Sequence, residues 1–239
     1  MTPHTLQGRS DHEMEWFQRR HIIKAAAAWV AIGGLPATIA QQRSNVVQLT
    51  GDATLNGLAL VPGQTIQTGD QIRTGPGTNL LFVIGNAAFQ VRQNSMLSVE
   101  RGTTLTAVSL LRLVTGAVVS VWGKGSNRSI AMPTITAGIR GTGVYAEVFA
   151  DQGNRNYFCN CYGTVDLAVE GEKRVSTADY HQAFWGDVSA GGAGKFTPAG
   201  AINHTDEELE FLAKLIDQRT NWQVSGKKGV KDGSGKSEY

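Results

Sequence analysis

The sequence is poor in the side chains that do chemistry. It has two cysteines and five histidines in 239 residues. Three of the histidines, His4, His12 and His21, precede a cleavage point expected after Ala40. Two cysteines fall short of the four ligands of a structural zinc site. No GxSxG, HExxH, Walker or GxGxxG pattern is present in a fitting context, and this weighs against a hydrolase, a metalloprotease or a nucleotide enzyme. Charge of one sign is also lacking. The formal net charge is +2 with 18% charged residues, and no basic stripe with interleaved aromatics offers a nucleic-acid surface. Asp70, Asp166 and Asp179 are scattered among turns and strands, where acids are solvated or turn-forming.

Glycine is abundant instead. The 29 glycines fall between short apolar runs, in GD, GN and TG pairs, as in an all-β protein of many short strands. Asn56-Gly57 is the sharpest hairpin signal. Asn79–Ile84 (NLLFVI) reads as a buried strand, and Ala107–Val114 and Ala117–Trp122 as strands about Thr115-Gly116. Turns every eight to twelve residues indicate a jelly roll, a sandwich or a stacked β-coil. The β region is expected over residues 41–190, with a glycine-rich linker over 191–204. Thr205 and Glu208 form a capping box. Leu209, Leu212, Leu215 and Ile216 then recur at helical spacing, which predicts one amphipathic helix within 205–220. Its apolar face is expected to dock on the domain. Residues 221–239 are expected to be a polar, disordered tail.

The N-terminus reads as an export signal over residues 1–40. Arg19, Arg20 and Lys24 supply a charged region, Ala25–Leu35 an apolar one, and Pro36–Ala40 a small-residue cleavage site. The paired arginines resemble the twin-arginine signal, whose route carries folded proteins. The apolar run is shorter than the ~20 residues of a membrane span, so an uncleaved inner-membrane anchor is the lesser alternative.

Pro133–Tyr145 (PTITAGIRGTGVY) is the centre of the chain. Two strand-like runs flank Arg140, Gly141, Thr142 and Gly143. Glycines so close together mark a bend, a bulge or a close approach of backbones. Arg140 is expected to tie crossing carbonyls together. Lys124 and Arg128 in GKGSNR have the character of an anion site, but a plain hairpin turn is the better reading, since the Walker spacing is missing.

Cys159 and Cys161 project from one face of a strand, with Cα atoms about 7 Å apart, at the upper end of the disulfide range. Three readings stay open. The pair packs as buried thiols, forms a strained disulfide, or holds a soft metal ion together with His181. No metal or other cofactor is assigned. His181 alone reads as a hydrogen-bonded structural residue.

An ordered set of segments resembles the FecR domain. The set is Val46–Thr50, GDQIRTG at 69–75, NLLFVI, Arg92–Glu100, Leu113–Val119 and PTITAGIRGT. The resemblance spans about Asn45 to Val169. It implies an all-β periplasmic module related to envelope iron-uptake sensors, which relay a signal from an outer-membrane transporter to a cytoplasmic sigma factor. Those regulators carry an anti-sigma domain before their membrane span and a secretin/TonB short N-terminal domain at the C-terminal end. Here 18 residues precede the arginine pair, and a helix with a tail follows. The resemblance therefore implies an exported, stand-alone, non-catalytic module for protein binding, signal transduction or scaffolding, with an envelope protein as partner and no nucleic acid. The alternative is a periplasmic binder of a glycan or ferric chelate. A redox role for Cys159 and Cys161 is the one catalytic reading.

Overall fold

A computed structural model describes residues 44–104, 107–125, 128–186 and 195–228. The expected export signal, with Arg19, Arg20 and Lys24, lies outside the described residues, as do residues 229–239 of the expected tail. The chain opens with β1 (Val46–Thr50), β2 (Ala53–Leu55) and β3 (Leu58–Ala59). Asn56 and Gly57 join β2 to β3 with φ of 53° and 84°, the paired positive angles that let a two-residue turn follow strand twist. Next come β4 (Gln71–Thr74), β5 (Asn79–Ile84), β6 (Ala87–Val91) and β7 (Met96–Arg101). The expected NLLFVI strand is β5, buried at five of its six positions.

Three long strands then organise the fold: β8 (Val108–Trp122), β10 (Thr136–Phe149) and β11 (Arg155–Val169), with the short β9 (Arg128–Ala131) between the first two. Each long strand changes partners at its middle. The first half of β8 pairs with β7 and β9, and the second half with β6 and β10. β10 pairs with β9 before its bend and with β8 after it. β11 passes from β13 (Gln182–Gly186) to β12 (Glu172–Ala178). One glycine with positive φ marks each change: Gly116 at 75°, Gly141 at 98° and Gly163 at 89°. No Cβ opposes that conformation in glycine, so the strand bends without breaking. The sequence reading of separate strands about Thr115-Gly116 and about Arg140–Gly143 is corrected here, since both are bends within one strand.

The bends fold the ladders into two layers. One holds β1, β5, β6, the second halves of β8 and β10, the first half of β11, then β13 and β14 (Phe196–Ala199). The other holds β3, β2, β4, β7, β9 and β12 with the remaining halves. Phe82, Phe89 and Phe158 from the first layer meet Ile72, Leu111 and Ile139 from the second in one apolar core. Every ladder is antiparallel except β8 with β9, which favours the sandwich over the β-coil of stacked parallel turns.

The C-terminal helix, α1 (Asp206–Leu215), lies on the outer face of the first layer and packs on β8 and β6. Both bonds of the Thr205/Glu208 capping box form. Leu209 and Leu212 are fully buried, each contributing about 1.5–3 kcal/mol of apolar transfer. The helix stops at Leu215, short of the expected 220. Asn221–Ser225, expected within a disordered tail, instead forms a second capped turn of helix, α2, with Trp222 buried. Among the described residues, no helix is long and apolar enough to cross a membrane.

Candidate functional site

The outer face of the first layer and the segment leading into α1 enclose a second, smaller core. Cys159 and Cys161 stand two apart on β11, so their side chains leave the same face of the strand toward this core. Both are fully buried and are free thiols. His181 lies in the turn between β12 and β13, and its backbone N–H donates to the Cys161 carbonyl at 2.9 Å. It takes a φ of 23°, uncommon for a residue with a side chain. His204 sits just before the N-cap of α1.

The four side chains converge. The Cys159 sulfur is 3.5 Å from His181 Nδ1, and the Cys161 sulfur is 3.5 Å from His204 Nε2. His181 Nδ1 and His204 Nε2 are 3.1 Å apart. The four atoms all lie within 4.8 Å of one another. The far side of each ring is also held. His181 Nε2 lies 2.8 Å from Asp206 Oδ1, and His204 Nδ1 lies 2.6 Å from the Ile202 carbonyl. Asp206 accepts a further bond from the Tyr180 hydroxyl at 3.0 Å. Tyr145 stacks on His204, and Trp222 stacks on His181. Bonds and rings together leave neither imidazole free to turn.

Burial decides much of the electrostatics. It opposes charge on His181, but the bonds to Asp206 and to the Cys159 sulfur outweigh it and raise the pKa to about 9. Burial raises the Cys161 thiol, and the Cys159 sulfur raises it further. Burial also opposes the Cys159 thiolate, yet bonding from Cys161 and the nearby histidines more than offset it and lower that pKa. Desolvation likewise raises the phenol of Tyr162 beside the cluster.

The other residues singled out in the sequence fall elsewhere. Arg140 does not tie carbonyls together. It projects outward and forms a bidentate pair with Asp166 at 2.7 and 2.8 Å, with the Arg140 side chain largely exposed and that of Asp166 partly so. Its neighbours carry the bend instead. The Thr142 hydroxyl bonds to the Tyr162 carbonyl and to Asn160 Oδ1. A Cβ on Gly143 would stand 2.3 Å from the Tyr162 ring. The segment joining β8 to β9 is not the expected hairpin turn, since the two strands pair in parallel; Arg128, at the start of β9, bonds to the Gly123 carbonyl and to Asn86. A cavity of about 410 Å³ opens beside it, with Lys124 on its wall.

The sequence reading found three of the four clustered side chains and missed His204 and Asp206. Both were hidden inside a helix-start signal, 43 and 45 residues beyond Cys161, and only the docking of α1 brings them back.

No family model matches the chain, and no curated protein does. It is similar to two crystal structures of a candidate anti-sigma factor from Parabacteroides distasonis ATCC 8503, at 6% and 7% sequence identity and a TM-score of 0.44. The matches cover 56% and 58% of this chain and 60% and 62% of those chains. The chain thus spans less than two thirds of their length, and a likeness at that level bears on neither activity nor partner.

Proposed function

We propose that the protein is an exported, non-catalytic FecR-like β module that acts by binding another protein of the bacterial envelope. One observation carries the non-catalytic part. Cys159, Cys161, His181, His204 and Asp206 are each at most 2% exposed, so no substrate reaches them while α1 and α2 stay docked. Reactive sites require access, and inert structural groups do not. The export part rests on the leader around Arg19, Arg20 and Lys24. The family part rests on the ordered segments from Val46 to Thr142.

A mode of binding follows from the sheet edges. Among the described residues, β12 has a ladder partner only in β11, and Val175 on it is 64% exposed. An open edge of this kind accepts an added strand, with backbone bonds supplying affinity and side chains supplying choice.

The test is capture of partners from an envelope extract by the mature chain, beside fractionation of cells expressing the full chain. The expected result is an envelope protein retained by wild type and lost with Val175→Lys, and cytoplasmic retention of Arg19→Lys/Arg20→Lys. Continued export of the double variant rules out the twin-arginine route. Turnover by the purified chain rules out the non-catalytic reading.

A further inference from the structure

We propose that Cys159, Cys161, His181 and His204 form a closed, four-coordinate zinc site that fastens the helical segment to the β layers. The inference is independent of the binding-module reading, because it concerns the interior and not the surface.

Distances are the first support. A tetrahedral ion with Zn–S of about 2.3 Å and Zn–N of about 2.0–2.1 Å spaces its ligands about 3.5 Å apart for S···N and about 3.3 Å for N···N. The chain places them at 3.5, 3.5 and 3.1 Å. Two sulfurs with two imidazoles in such a cage are the donor set that suits zinc and disfavours magnesium or calcium.

The outer hydrogen bonds are the second support. The acceptors beyond each ring, Asp206 Oδ1 and the Ile202 carbonyl, require an N–H on His181 Nε2 and on His204 Nδ1. In the neutral form that binds metal, the rings then turn their lone pairs inward, toward each other and toward the sulfurs. A carboxylate or carbonyl behind each histidine is the arrangement that orients metal-binding imidazoles. A cation among the four atoms satisfies all of them at once, and the competing occupant is a proton.

Charge is the third support. Two thiolates neutralise a divalent ion, so the filled site carries no net charge into a fully buried place. Loading forms two Zn–S and two Zn–N bonds and releases two protons to solvent. All four positions are taken by protein, so the ion has no open face for substrate and its role is structural. It joins β11, the β12–β13 turn and the approach to α1, segments 22 and 43 residues apart. Asp206 acts as a positioning residue through His181.

The test uses the full chain without a polyhistidine tag. Elemental analysis is expected to find about one zinc per chain. Exchange for cobalt is expected to give tetrahedral d–d bands and a thiolate-to-cobalt charge-transfer band. Cys161→Ser and His204→Gln are expected to weaken binding by more than about 100-fold, and Asp206→Asn by about 10–100-fold while keeping the cobalt spectrum. Should Cys161→Ser not fold, the cobalt spectrum of the wild-type chain decides. A wild-type chain that purifies without metal and refolds in cobalt without a charge-transfer band overturns the proposal. So does zinc held equally well by a folded Cys161→Ser.

Discussion

His181 Nδ1 and His204 Nε2 face each other across 3.1 Å, while the second nitrogen of each ring is held by Asp206 or by the Ile202 carbonyl. The pair sits where the turn after β12 meets the approach to α1, so whatever bridges it also holds the helical segment in place. Removing the proposed zinc is therefore expected to loosen α1 and α2. A ligand at about 1,000 times its Kd contributes about 4 kcal/mol. At roughly 2–4 °C per kcal/mol for a domain of this size, chelation lowers Tm by about 10 °C. Thermal melts with zinc and with chelator check this, and coincident melts contradict it.

Arg92 and Glu208 form an ion pair with side chains 5% and 0% exposed, linking the end of β6 to the first turn of α1. Arg92→Met leaves a buried carboxylate without that partner and is expected to cost about 3–5 kcal/mol. The double variant Arg92→Met/Glu208→Gln removes both charges and is expected to recover part of the loss. Urea unfolding of wild type, Arg92→Met, Glu208→Gln and the double variant measures the coupling, and additive losses contradict it.

Gly163 is the bend of β11, and a Cβ there would lie 2.7 Å from the Gly141 carbonyl at a φ of 89°. Gly163→Ala combines strain with a backbone clash, and about 3 kcal/mol of destabilisation is expected. Gly57 has a similar φ of 84° with nothing within 4 Å, so Gly57→Ala is expected to cost only about 1 kcal/mol. Equal midpoints in denaturant for the two variants contradict the account of the bends.

Arg140 and Asp166 pair in the open, with side chains 62% and 42% exposed. Arg140→Ala is expected to cost less than about 1 kcal/mol, and that less at high salt. A larger loss in denaturant unfolding returns Arg140 to the central role its sequence position implied.

The sequence by itself determined the local features. Asn56-Gly57 turns because both residues tolerate positive φ, and α1 begins at Thr205 because its capping box is complete within four residues. The all-β class and the apolar strand β5 also follow from spacing that spans a few residues. Only the tertiary structure decided that Gly116, Gly141 and Gly163 bend single long strands from one layer into the other, since a glycine between two apolar runs reads equally as a turn. It alone brought His204 and Asp206 to Cys161. That meeting depends on the register of β11 with β13 and on the docking of α1, and both are summed from contacts far apart in the chain that no local pattern encodes.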